Sequence, residues 1–65
     1  MNSKLTQEQI LSAPRLKFRD VQGEERYGSP MGYDDEEEMF VIAPEDRPPG
    51  EWEQIVISQV LELFD

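Results

Sequence analysis

Three features of this 65-residue sequence predict a small α+β domain. They are a helix-capping signature near the start, two short segments of strand character, and a C-terminal stretch whose apolar residues recur at helical spacing. The expected architecture is a short N-terminal helix, a two-stranded antiparallel sheet that a dimer would extend, and an amphipathic C-terminal helix packed across the pair. Residues 1–65 read as one small acidic domain, with 22–37 as a flexible loop leading into the acidic run 34–38.

The first element opens at Thr6. Thr6-Gln7-Glu8-Gln9 is a capping box, in which the Thr6 hydroxyl accepts from the Gln9 N–H and the Gln9 side chain accepts from the Thr6 N–H. Leu5 and Ile10 hold the positions of a hydrophobic staple, and Glu8 complements the helix dipole. Pro14 pushes Ala13 out of helical geometry, so the helix lasts only about two turns. A helix that short persists only by docking, here through Ile10 and Leu11.

Arg15 to Asp20 alternates, with Leu16 and Phe18 on one side and Arg15, Lys17 and Arg19 on the other. That period of two predicts a half-buried strand over about 15–21. Its outer bases form either a binding stripe or, as the base rate for charged strand faces favours, a solvated face that deters edge-to-edge pairing. Gln22 to Tyr33 is punctuated by Gly23, Gly28, Pro30 and Gly32 and reads as a loop. Tyr27, Met31 and Tyr33 are interleaved with those breakers, where the tyrosines either present a contact surface or fold back over a small core.

Asp34 to Glu38 is five acids in a row, running into Met39-Phe40-Val41-Ile42-Ala43. The apolar run predicts a second strand over about 38–43, covered on both faces and ended by Pro44. Strands consecutive in sequence pair antiparallel, which gives the expected two-stranded sheet. After a turn-rich connector from Pro44 to Gly50, Trp52, Ile55, Val56, Val60, Leu63 and Phe64 recur at spacings of three and four. The β-branched Ile55-Val56-Ile57 favours a strand. Alternation nevertheless fails at Ser58 and Gln59 while the three-four stripe continues, so the prediction is a helix. Ile57 and Leu61 widen the stripe to eight apolar residues of the fourteen from Glu51 to Phe64. Apolar surface beyond what a small sheet needs marks an interface, so Trp52, Val56 and Val60 are expected to mediate a homodimer.

Composition excludes several classes of function. There is no cysteine and no histidine, which removes disulfides, the usual zinc and iron–sulfur ligand sets, a thiol nucleophile and a base near neutral pH. The serines lack a nucleophile-elbow context, and Gly28-Ser29-Pro30-Met31-Gly32 lacks the lysine of a phosphate loop. The five consecutive acids lack the alternate spacing of a calcium loop. The expectation is a protein without catalytic residues, metal or cofactor. No apolar run approaches the roughly 18–20 residues of a membrane span, and residues 1–9 lack a signal-peptide pattern, so a cytoplasmic location is expected.

Charge is distributed unevenly. Residues 1–33 sum to +1, and residues 34–65, with eleven acids against Arg47 alone, sum to −10, giving the net −9. That balance disfavours direct contact with nucleic acid or an anionic membrane, since both are bound through Lys and Arg. Closely spaced carboxylates instead suit a basic protein surface, including one built to hold phosphates. The functional analogy is with small proteins that occupy DNA-binding sites or neutralise basic nuclease toxins. The expected function is inhibition or regulation of such a partner through Asp34, Asp35, Glu36, Glu37 and Glu38, with Tyr27 and Tyr33 as anchors beside them. The alternative is a homo-oligomeric accessory or assembly protein whose C-terminal helix forms the interface.

Overall fold

The computed structural model describes residues 5–65. A helix α1 (Gln7–Ser12) leads into five strands, β1 (Arg15–Arg19), β2 (Glu25–Asp34), β3 (Met39–Pro44), β4 (Glu53–Ile55) and β5 (Val60–Phe64). All belong to one antiparallel sheet of order β4-β3-β2-β1-β5. The first four strands form a meander, and a 3-10 turn (Ile57–Gln59) carries the chain back so that β5 pairs with β1. The two ends of the sheet share one core: Ile55 of β4 and Val60 of β5 are buried in the same cluster as Leu16, Phe18, Phe40 and Ile42. Ile10 of α1 completes that cluster, and Leu5 and Leu63 pack against it.

The N-terminal helix forms as its residues dictate. The Gln9 N–H donates to Thr6 Oγ1 at 3.1 Å and the Thr6 N–H to Gln9 Oε1 at 3.0 Å. Ala13 is extended before Pro14, and Ile10 is the buried residue of the helix. The alternation of β1 likewise holds, with Leu16 and Phe18 buried.

The two-stranded sheet is overturned. The stretch read as a long loop contains β2, the longest strand, which lies between β1 and β3 and pairs with both. Its breakers have specific places in the ladder. Gly28 sits where β2 comes closest to β3: a Cβ there would lie 2.7 Å from the Ala43 carbonyl oxygen. Pro30 has no N–H to donate and stands beside an irregularity, since Pro30 pairs with Ile42 and Gly32 with Val41, leaving Met31 as the extra residue of a bulge. Five strands from one chain stand in place of the two-stranded sheet that a dimer was expected to extend. The sheet's edges are guarded, β4 by being only three residues long and β5 by a register shift opposite Lys17 and Phe18.

The C-terminal helix is overturned as well. Glu53–Ile55 and Val60–Phe64 are strands, in keeping with the β-branched residues there. The three-four spacing marks no single face: of its residues only Ile55 and Val60, on either side of the 3-10 turn, are buried, and Trp52 and Val56 are exposed. Ser58 and Gln59, where alternation fails, are that turn. Gln59 fastens it: its side-chain amide donates to the Arg19 carbonyl at 2.8 Å, and its Oε1 accepts from the Val56 N–H at 2.8 Å.

One end of the sheet is closed by Arg26. In register with Phe18, its guanidinium lies 5.5 Å from that ring. It donates through Nε and Nη2 to Asp46 at 3.1 and 2.8 Å, and through Nη1 to Glu53 at 2.6 Å. Nη1 also reaches Asp20 at 3.5 Å. The Arg26 and Asp20 side chains are only 11% and 8% exposed. Asp20 itself shapes the β1–β2 turn, its Oδ1 accepting from the N–H groups of Gln22 and Glu24 at 2.9 Å each, while Gly23 takes φ 85°. A single cation thus ties the β1–β2 turn, the β3–β4 connection and β4 together. Hydrogen bonds from the Glu24 and Gln22 N–H groups, with the Arg26 charge, lower the Asp20 pKa below its ordinary 3.8. The Arg26 hydrogen bonds lower that of Asp46.

Arg26→Met is therefore expected to destabilise the fold by about 2 kcal/mol, below the 3–5 of a fully buried pair because Asp46 stays in contact with solvent. Carboxylates whose pKa is depressed by folding stabilise it above their unfolded values and lose that contribution as pH falls through the folded ones. The deficit of the variant, read from urea midpoints, should accordingly be full at neutral pH and shrink below about pH 4. A variant with the wild-type midpoint at neutral pH would refute this role.

Candidate protein-binding site

The acidic run is a tight hairpin rather than part of a loose loop. Asp34 ends β2 and pairs with Met39, leaving Asp35 to Glu38 as a four-residue turn. Asp34 Oδ1 accepts from the N–H groups of Glu36 at 3.0 Å and Glu37 at 3.2 Å, and the Asp34 carbonyl accepts from the Glu38 N–H at 2.7 Å. This Asx turn fixes the directions in which the carboxylates emanate. Glu38 completes it with φ 58°, the one described non-glycine residue in the left-handed region.

Apolar surface lies on both sides of the hairpin. On one side an open groove of about 460 Å³ is lined by Met31, Tyr33, Val41 and Trp52 together with Asp34 and Asp35. The bulge in β2 sends Met31 outward, where it is 52% exposed, and Trp52, just before β4, is 55% exposed. Val41 lies across the ladder from Gly32 and Gln54 and forms the groove floor. On the other side Glu37 and Glu38 border a depression of about 330 Å³ with Tyr33, Val56 and Ile57. The sequence pointed to the acids, but the grouping of Met31, Val41 and Trp52 beside them depends on the bulge and on the β3–β4 pairing. Pro30 inside a long strand is the signal that would have located the bulge.

The two tyrosines separate. Tyr33 adjoins the hairpin but is half-buried, edge-on to Phe40 with ring centroids 4.8 Å apart, and packs against the core. Tyr27 lies six residues back along β2, about 20 Å away at strand rise. There it faces Phe64 at 5.8 Å and carries the Arg15 guanidinium 4.3 Å over its ring. Trp52, Val56 and Val60 share no helical face. Val60 is in the core opposite Phe18, while Trp52 and Val56 border the two separate depressions beside the hairpin.

Ion pairing is lopsided. Arg15 binds Glu45 at 2.6 Å, Lys17 and Arg19 reach Glu25 at 3.5 and 3.2 Å, Arg26 holds its three carboxylates, and Arg47 meets Glu51 at 3.6 Å. The three bases of the β1 stripe thereby share two acids, Glu25 and Glu45. Glu45 is held below its ordinary pKa by the Arg15 hydrogen bond. Every base among the described residues is engaged in this way, and none of them pairs with Asp34 to Glu38. Lys4 lies outside the described residues. Among the described residues no cluster of carboxylates is arranged to hold a metal ion, and no helix is long and apolar enough to cross a membrane.

Replacing Glu38 by glycine should relieve a left-handed strain of about 1–2 kcal/mol against a chain-entropy cost of about 0.5–1. Glu38→Gly is expected to raise stability by about 0.5–1 kcal/mol in urea denaturation, and a loss would mean that the turn is not held in this form. Compared with protein-family models, curated proteins and solved structures, the chain matches none.

Proposed function

We propose that this chain is a small, non-enzymatic, acidic protein-binding module, acting in the cytoplasm, that inhibits or regulates a basic protein partner. The observation that carries this reading is the division of charge. Each described base pairs with a carboxylate elsewhere in the fold, while five contiguous carboxylates stand on a hydrogen-bonded hairpin with no ion-pair partner among those bases. An unpaired cluster of one sign accelerates encounter with the opposite sign, the more so at low salt, and selects against acidic partners. The flanking apolar surface supplies area that excludes water once contact is made. The homo-oligomeric alternative relied on a C-terminal helix, and that helix is replaced by two strands and a turn.

The test is capture of partners from lysate on immobilised wild type and on a variant with Asp35→Asn, Glu36→Gln, Glu37→Gln and Glu38→Gln. Asp34 is kept because it builds the turn. A basic protein retained by the wild type at low salt, released at high salt and missed by the variant is the expected result. Its association rate should fall about tenfold or more between low and high salt. Indistinguishable capture by the two proteins would overturn the reading.

A further inference from the structure

Resting on that reading, we infer that the groove between Met31, Val41 and Trp52 seats an extended, arginine-bearing apolar segment of the basic partner, with the guanidinium stacked on the Trp52 indole and facing Asp34 and Asp35. The molecule holds the same arrangement twice within itself. Arg15 lies 4.3 Å over Tyr27 while donating to Glu45 through Nε and Nη2 at 2.6 and 3.0 Å. Arg26 lies 5.5 Å from Phe18 while bound to Asp46 and Glu53. Trp52 with Asp34 and Asp35 is a third juxtaposition of aromatic ring and carboxylate, and no base among the described residues reaches it.

Charge complementarity selects the occupant. An apolar segment alone would cover Met31 and Trp52 but take water from Asp35 and leave the hydrogen-bonded Asp34 carboxylate without a countercharge, which is unfavourable. A cation supplies what they lack. Arginine fits better than lysine, because its planar fork stacks on an indole while donating to a carboxylate. One carboxylate is already oriented: Asp34 is held by its own turn, and the Gln54 amide donates to its Oδ2 at 3.4 Å. The apolar residues flanking the arginine would lie on Met31 and Val41.

Trp52 is the sole tryptophan, so its emission reports on this groove alone. The probe is a capped peptide, Leu-Arg-Leu-Arg-Leu, compared with versions carrying lysine, citrulline or glutamate in place of arginine. The arginine peptide should change the emission saturably, bind about threefold or more tighter than the lysine peptide, and outcompete the citrulline peptide by a wider margin. The pair Asp34→Asn and Asp35→Asn should weaken it about fivefold, because asparagine keeps the Asx turn while removing the charge. In NMR spectra the Met31 methyl and Trp52 indole N–H signals should move, and those of Leu16 and Ile42 should not. Equal binding of the arginine, lysine and citrulline peptides, or no response at Trp52, would overturn the assignment. If partner capture is still lost in that event when only Glu36→Gln, Glu37→Gln and Glu38→Gln are made, the groove assignment alone fails. If the peptide binds as expected but capture ignores the hairpin, the broader reading fails instead.

Discussion

The guanidinium of Arg26 is the constraint on which the rest of this small sheet depends. Among the described residues, a five-stranded sheet with one short helix has a core of seven buried apolar side chains, and one end of it would stand open beside Phe18. Arg26 closes that end by packing on the ring and drawing in carboxylates from three separate stretches of chain. Its position is dictated by the register of β1 and β2, which places it opposite Phe18. Because Asp20 also builds the β1–β2 turn, the same charge cluster sets both a turn and the approach of β4. Chains of this length commonly rely on disulfides or metal. This one has no cysteine, and it uses an ionic clamp with backbone support.

The clamp has a consequence for the molecular surface. Arg26 pairs with three acids and the bases of β1 with two more, so the charge of these four bases is offset by carboxylates of the fold. Nine acids pair with no described base, and five of them lie contiguously at the far end of the β2–β3 hairpin. The β2 bulge gives that end its apolar character by turning Met31 outward, near Trp52. Stability and the proposed binding are thus served by different acids. Neutralising the hairpin should leave the clamp intact, and breaking the clamp leaves the hairpin sequence unchanged. This separation is what allows each to be probed by mutation.

Much of the local structure was legible in the residues. Thr6 and Gln9 specify the helix start, Pro14 specifies its end, and the alternation of Leu16 and Phe18 specifies β1, because each signal is local and strong. β2 was hidden because glycine and proline usually mark loops, whereas here Gly28 permits a close approach and Pro30 sits at a bulge. The C-terminal half misled because two strands broken by a 3-10 turn reproduce a three-four spacing. The acidic run was visible as a set of candidate residues, but its surroundings were not. Tyr27 lies adjacent in sequence and distant in space, while Trp52 is distant in sequence and borders the same groove. The importance of Arg26 had no local sign, since its partners are 6, 20 and 27 residues away.

The most direct test of the clamp is an NMR pH titration of the side-chain carboxyls in wild type and Arg26→Met. In the wild type Asp20, Glu45 and Asp46 should titrate below the ordinary carboxylate range. In the variant Asp46, held down chiefly by Arg26, should return to that range, Asp20 should move less because backbone N–H groups hold it, and Glu45 should not move. Ordinary values for Asp20 and Asp46 in the wild type would contradict the account, because the cation would then not be gathering the three segments that close the sheet.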